Sequence, residues 1–441
     1  MNTKCSRKTV NKAQINRAKH KKKNHRRSGT NPFVIFLGTL GIVLSLGALF
    51  VVCISLPKYL KMHQYDQVSF ADFVETIPQT LVMKVEEPEV LGANAAQTKY
   101  GDVIRDEAYL EENNIFLKEG ATKDSVTLGF VGDILFDDEY AVMCALKQRG
   151  GELSSGISQD TLDRMNAVDI MVVNNEFPYT ERGSRQTNKQ YTFHADYDTA
   201  FYLNDMGADV AILANNHVYD FGEEGLLDSL DTLNNVGVHP VGAGRNLKEA
   251  VTPVYYIVND IKIAIVAASQ IERESNPNTK AATETSPGVF RCWQNDLIYT
   301  AVEVAKQNAD FVIACIHWGT EKDPNPDTWQ LEMAPKLAEA GADLIIGDHT
   351  HRLQGVYYYG DTPCIYSLGN FWFNGYALDT GMVEVTINKD GLDKFQFLPA
   401  IQSNFSTKLV YDSEKTRIID YLRSLSKGAV IDAEGYITKA G

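Results

Sequence analysis

Cysteine is scarce in this chain. Six residues in 441 are cysteine, at positions 5, 53, 144, 292, 315 and 364, and no two form a C-x-x-C pair. That excludes a disulfide framework and a thiolate zinc site. Cys315 and Cys364 stand in apolar runs and read as small core residues. No internal repeat of useful period is visible. Gly242-Ala243-Gly244 lacks the Lys-Ser/Thr of a phosphate loop and the rest of a dinucleotide fingerprint. Ser367 has no G-x-S-x-G context and reads as packed behind a site. Charge is also missing in places. Residues 1–30 contain no Asp or Glu against eleven Lys/Arg, and residues 33–56 carry no charge at all.

Those last two absences adjoin. The uncharged stretch FVIFLGTLGIVLSLGALFVVCISL would form a helix about 36 Å long, enough to span a hydrocarbon core of about 30 Å with some tilt. Its apolar core is too long for a signal peptide, and no A-x-A site follows closely, so it reads as an uncleaved anchor. The basic tail precedes it and only Lys58 and Lys61 follow early. The positive-inside rule then places the N-terminus in the cytoplasm and residues 57–441 outside, as a single-pass cell-membrane protein. The chain totals −15, which leaves −26 on residues 31–441. A body this acidic is not a nucleic-acid partner.

What remains is globular in composition, with 44% hydrophobic and 22% charged residues. The expected organisation is a basic tail (1–32), a transmembrane helix (33–56), an extracellular stalk or linker (57–124), a principal domain (125–402) and a C-terminal helical extension (403–441). Buried-strand runs occur at 126–131, 170–173, 210–213, 254–258, 261–267, 311–316 and 344–346. Asn259-Asp260 is a hairpin signal between two of them. Helical patterns follow at 139–147, 223–235 and 328–340, and an amphipathic one at 414–425. Strands alternate with helices early and cluster late. This is an α/β pattern, with mixed sheets at the core and helices outside.

The strand runs end on the chemistry. In chain order their ends offer Asp133, Glu176, Asn216, His217, His317, His349 and His351. Open α/β sheets place ligands at such ends. Carboxylates, an amide oxygen and imidazoles suit Mn, Fe or Zn better than calcium. One ion or two neighbouring ions can be held, with Glu176 or Asp133 able to bridge a pair. Paired ions suit attack on phosphate esters. His349 and His351 are two apart, which in an extended backbone puts both imidazoles on one side, about 6 to 7 Å apart. Adjacent residues in a tight loop do not readily share one metal. Asn216 is therefore the expected ligand and His217 a general acid, oriented by Asp220 three residues on. His194 and His239 read as structural.

These residues carry a resemblance. Gly132-Asp133, Asn175-Glu176, Ala214-Asn215-Asn216-His217 with Asp220 and Gly222, His317-Trp318-Gly319, Gly347-x-His349-x-His351 and Tyr366-Ser367-Leu368-Gly369-Asn370-Phe371 resemble the successive motifs of the bacterial capsule synthesis family CapA/PgsA, associated with poly-γ-glutamate. That family is similar to calcineurin-like metallophosphoesterases. The resemblance implies a four-layer αββα sandwich of two mixed sheets. It implies Asp133 and His351 at one metal, Glu176 bridging, Asn216, His317 and His349 at the other, and His217 as the catalytic histidine. The sequence departs from the pattern once. Metallophosphoesterases begin with Asp-x-His, whereas Asp133 is followed by Ile134 and Leu135, so the first site is short of a ligand unless Asp137 or Asp138 supplies it.

The function expected is capsule or poly-γ-glutamate synthesis, export or attachment, by a membrane-anchored protein with a metal-dependent phosphoesterase-like domain. Its partners would be an anionic polymer or a phosphoester, the membrane, and other membrane subunits of a polymer synthase. An extracellular hydrolase unrelated to capsule and a non-catalytic polymer-binding subunit are the alternatives.

Overall fold

The apolar runs assemble into two mixed sheets in a computed structural model that describes residues 98–187, 189–271, 280–293 and 296–441. The expected basic tail, the expected membrane helix and residues 57–97 of the expected stalk lie outside the described residues. Among the described residues no helix is long and apolar enough to cross a membrane.

One sheet has seven strands, in the order Ile115–Lys118, Val254–Val258, Ile261–Ser269, Phe311–His317, Leu344–Asp348, Thr362–Ile365 and Val356–Tyr359. The other has eight. Its path runs Ser406–Leu409, Gly391–Ser403, Leu378–Asn388, Ser125–Ile134, Ile170–Asn175, Ala208–Ile212 and His239–Val241, and Asn370–Trp372 pairs with the end of Ser125–Ile134. The site-bearing strands are parallel within each sheet, so their carboxyl ends share one edge. Antiparallel hairpins flank them. Asn259 and Asp260 close one, with φ of 52° and 62°, the two left-handed residues that a type I′ turn needs.

Alternation along the central strands separates two cores. Ile263, Ile265, Ile313 and Leu344 join a core shared with the eight-stranded sheet. Their neighbours Ala264, Val266, Val312 and Ile345 pack instead with Leu297, Ile298, Met333 and Leu337 of the helices Leu297–Asn308 and Thr328–Glu339. A strand covered on both faces reads as an unbroken apolar run. Burying each large aliphatic contributes about 1.5–3 kcal/mol. The helix Thr328–Glu339 starts on a capping box: Asp327 accepts from the Gln330 amide at 3.0 Å and Gln330 accepts from the Asp327 amide at 2.9 Å.

Two boundaries differ from expectation. The described part of the stalk belongs to the domain. Ile115–Lys118 adds a parallel edge strand to Val254–Val258, Leu110 and Ile115 are buried, and the amide of Tyr100 donates to Asp260 at 2.8 Å. Polar neighbours on both sides hid this four-residue strand. The region after residue 402 is not a helical appendage either. Ser406–Leu409 pairs with Gly391–Ser403, the helix Asp412–Leu425 buries Ile418, Ile419 and Leu422 in the main core, and the hairpin Ala429–Ile431/Ile437–Lys439 adds Ile431 and Ile437.

Candidate metal centre

Both sheets deliver side chains to the shared edge. Asp133 is the penultimate residue of Ser125–Ile134, Glu176 follows Ile170–Asn175, and Asn216 and His217 follow Ala208–Ile212. From the seven-stranded sheet come His317, the last residue of its strand, and His349 and His351 just beyond Asp348. The extended backbone expected for the last two is not what forms. His349 and His351 have φ of 92° and 55°, a region that side-chain-bearing residues seldom adopt. Their ring centroids are 6.1 Å apart. Backbone held this way over two nearby residues is the kind of strain that collects at functional sites.

Donor atoms converge in two groups. In the first, His317 Nε2 lies 2.8 Å from Asn216 Oδ1, 3.1 Å from His349 Nδ1 and 3.5 Å from Glu176 Oε1. In the second, His351 Nδ1 lies 3.0 Å from Asp133 Oδ2 and 2.7 Å from Asn370 Oδ1. Glu176, His317 and His349 offer ligand atoms all within 4.8 Å of one another, and so do Asp133, Glu176 and His351. Glu176 belongs to both groups, the placement of a bridging carboxylate.

The donor sets fit a divalent ion. Ligands held about 2.1 Å from one ion stand about 3.0–3.4 Å from each other, and the separations here, from 2.7 to 3.5 Å, bracket that range. Glu176 is fully buried, and neither of its oxygens has a hydrogen-bond partner among the described residues. Burial, then the charges of Asp133, Glu321 and Asp348, push its carboxyl well above the usual carboxylate range. A cation between its oxygens removes that penalty. Burial likewise pushes His317 down to about 3 and His349 well below the usual imidazole range, so both rings present lone pairs. At Asp133 burial favours the proton, but the hydrogen bond and charge of His351, aided by His317 and Asn174, outweigh it and hold the group low.

His217 stands beside the donors. Its Nδ1 is 2.7 Å from Asp220 Oδ2, and its Nε2 is 3.9 Å from Glu176 Oε1. The loop is held by Asn215, whose Oδ1 accepts from the amides of His217 at 3.0 Å and Val218 at 2.9 Å. Lys189 contacts Asp220 Oδ1 and the Asn216 carbonyl, and the Phe193 amide donates to Asp220 Oδ2 at 2.8 Å. Burial first and Lys189 next hold His217 below the usual imidazole range, and Asp220 offsets them only in part.

All eight residues expected at the site are therefore brought together. Neither Asp137 nor Asp138 completes the group around Asp133. Asp137 accepts from the amides of Glu139 at 2.8 Å and His194 at 2.9 Å, and Asp138 pairs with Lys147 at 2.8 Å. Turn chemistry and a surface lysine have claimed them. The sequence reading missed Asn174, which donates to Asp133 Oδ1 at 2.7 Å and lies 3.3 Å from His317 Nδ1. It also missed Lys189, Asn370 as a site residue, and Asp348, which is buried with Oδ1 unpartnered among the described residues. Asn174 and Asp348 each end a buried strand run, the signal that found the others.

The family model described as bacterial capsule synthesis protein PGA_cap matches residues 127–375. The PGA biosynthesis protein CapA of Bacillus subtilis is 31% identical over 310 residues, covering 69% of this chain and 78% of that one. The capsule biosynthesis protein CapA of Bacillus anthracis is 30% identical over 258 residues, covering 57% and 62%. A probable polyglutamine synthesis accessory protein of Mycobacterium tuberculosis is 28% identical over 210 residues, covering 46% and 55%. With more than half its length matched and a relative this similar over most of its own length, the chain belongs to the bacterial capsule synthesis protein family PGA_cap.

Proposed function

We propose that this chain is a membrane-anchored protein of capsule or poly-γ-glutamate biogenesis whose domain faces the outside and acts as a metal-dependent phosphoesterase-like hydrolase. The fold implied is the αββα sandwich of the metallophosphoesterases, with Mn, Fe or Zn at Asp133, Glu176 and His351 and at Glu176, Asn216, His317 and His349. The observation that carries the reading is Glu176, fully buried, without a hydrogen-bond partner among the described residues and common to two converging donor groups. The names of relatives in Bacillus supply the capsule setting.

When bound, such ions polarise a phosphoryl oxygen and activate water. The chain's own residues do the rest. Asp133, Glu176, Asn216 and the three histidines would hold the ions. Asp220 holds His217 by Nδ1, which aims Nε2 at the side where Glu176 lies. A protonated Nε2 there can give its proton to a leaving oxygen, and Asp220 stabilises the imidazolium that does so. This His–Asp pair favours catalysis over polymer binding alone, since binding needs no buried, oriented acid.

The test is hydrolysis of bis(p-nitrophenyl) phosphate and p-nitrophenyl phosphate by full-length protein loaded with Mn²⁺, alongside polymer production in cells carrying His217→Ala. Turnover that vanishes on chelation and in the variant, with polymer lost in cells, supports the reading. Full polymer production by a folded His217→Ala protein refutes the catalytic part.

A further inference from the structure

We propose that Asn370 is a direct oxygen ligand of the ion nearer Asp133, in place of the histidine that Asp133-Ile134-Leu135 lacks. This rests on the metal reading above. Leu135, where that histidine would stand, is fully buried, and its amide donates to the Trp372 carbonyl at 3.0 Å, so the position serves packing. Asp137 and Asp138 are engaged elsewhere. Asn370 is 1% exposed and lies across from Asp133 as its strand partner.

The backbone is built to bring it there. The Asp133 amide donates to the Gly369 carbonyl at 3.0 Å. A Cβ on Gly132 would fall 1.9 Å from that carbonyl oxygen, so only glycine admits the approach. Gly369 itself turns at φ 69°. The result is Asn370 Oδ1 at 2.7 Å and Asp133 Oδ2 at 3.0 Å from a single ring nitrogen, His351 Nδ1. One N–H cannot satisfy two oxygens well, and Asp133 already accepts from Asn174 on its other oxygen. The other donor group shows the same amide-on-imidazole contact, with Asn216 Oδ1 2.8 Å from His317 Nε2. With Asn370 counted, each ion has four protein donors, Glu176 shared.

An asparagine that merely orients His351 would also matter to affinity, because such supporting contacts are worth about 10- to 100-fold. The test must therefore see the ligand itself. Full-length wild type, Asn370→Ala, Asn370→Cys, Asn370→Asp and His349→Ala are titrated with Mn²⁺ and Co²⁺, with thermal melts of the metal-free proteins to check folding. Wild type is expected to bind two ions. Asn370→Ala should weaken one of them at least tenfold, and it should be the ion that His349→Ala retains. Asn370→Cys loaded with Co²⁺ should show a thiolate-to-cobalt charge-transfer band that wild type lacks. If that variant does not fold, Asn370→Asp decides, and should hold its ion at least as tightly as wild type. Two ions in wild type with unchanged affinities in Asn370→Ala overturn this inference alone. So does a folded Asn370→Cys protein that binds two Co²⁺ without the band, or a loosened ion in Asn370→Asp. A wild type that binds no ion overturns the metal reading and this inference together.

Discussion

His217 Nδ1 sits 2.7 Å from Asp220 Oδ2, and three residues of one turn suffice to make the contact. That pair lets the roles of neighbouring residues be separated. His217→Ala should keep its metal and its fold and lose about 10²- to 10⁴-fold in turnover. His317→Ala should lose metal instead. Metal content and hydrolysis measured side by side check the division, and equal metal loss in both variants contradicts it.

The two ions should differ in affinity. One site has two neutral imidazoles, an amide and the shared carboxylate. The other has a single imidazole, His351, with Asp133, the amide of Asn370 and the same shared carboxylate. Imidazole donors favour later divalent metals. Stepwise chelation of the loaded protein, followed by elemental analysis, should pass through a species holding one ion, and the single ion that His349→Ala retains should be the more easily chelated one. Two ions leaving together at one chelator concentration would show equal sites.

Metal uptake should release a proton at pH values where a free glutamate is already ionised. Glu176 without an ion is held well above the usual carboxylate range by burial first and by neighbouring carboxylates next. It therefore carries a proton at pH values where a free glutamate does not, and an ion must displace it. The sign follows: affinity rises with pH until Glu176 ionises unaided, then levels off. Calorimetric titration with Mn²⁺ in buffers of different ionisation enthalpy reads the proton count directly. Glu176→Gln should remove this released proton.

Gly132→Ala should be costly at a distance from any charge change. The new methyl meets the Gly369 carbonyl at 1.9 Å, and backbone on both sides must move. Overpacking of this kind costs about 1–3 kcal/mol. Denaturant unfolding should show that loss, and it should be accompanied by loss of the ion nearer Asp133. Gly150→Ala, where nothing lies within 4 Å of the added carbon but φ is 108°, separates conformational strain from contact.

The anchor and its orientation are tested in whole cells. Eleven basic residues ahead of an uncharged span of 24 predict that the domain lies outside. Protease added to intact cells stripped of their wall should remove the domain. Survival there, with digestion only after lysis, contradicts the topology.

Much of the site was legible because its residues end apolar runs, and a run's end is a local signal. Asp133, Glu176, His317 and His349 each stand at or just beyond the end of a buried strand, and Asp220 follows His217 by less than one turn. Asn370 stood within the Tyr366–Phe371 motif, yet its role depends on a short strand pairing with Ser125–Ile134, which no local pattern encodes. Lys189 lies in a polar segment without periodicity and reaches Asp220 from elsewhere in the chain. The left-handed backbone at His349 and His351 was hidden for another reason: histidine carries no preference for that conformation strong enough to read. The edge strand Ile115–Lys118 is four residues long, too short to show alternation.

The donor groups are drawn from two different sheets. Asp133, Glu176, Asn216 and Asn370 come from the eight-stranded one, and His317, His349 and His351 from its neighbour. An ion in either position is thus a rivet through the two layers, and loading it is a mechanical event as well as a chemical one. At an ion concentration 100 times the dissociation constant, such a rivet adds about 2.7 kcal/mol to the folded state. A domain working outside the cell would then tighten or loosen with the divalent ions of its surroundings, and its resistance to extracellular proteases would follow the same supply as its chemistry.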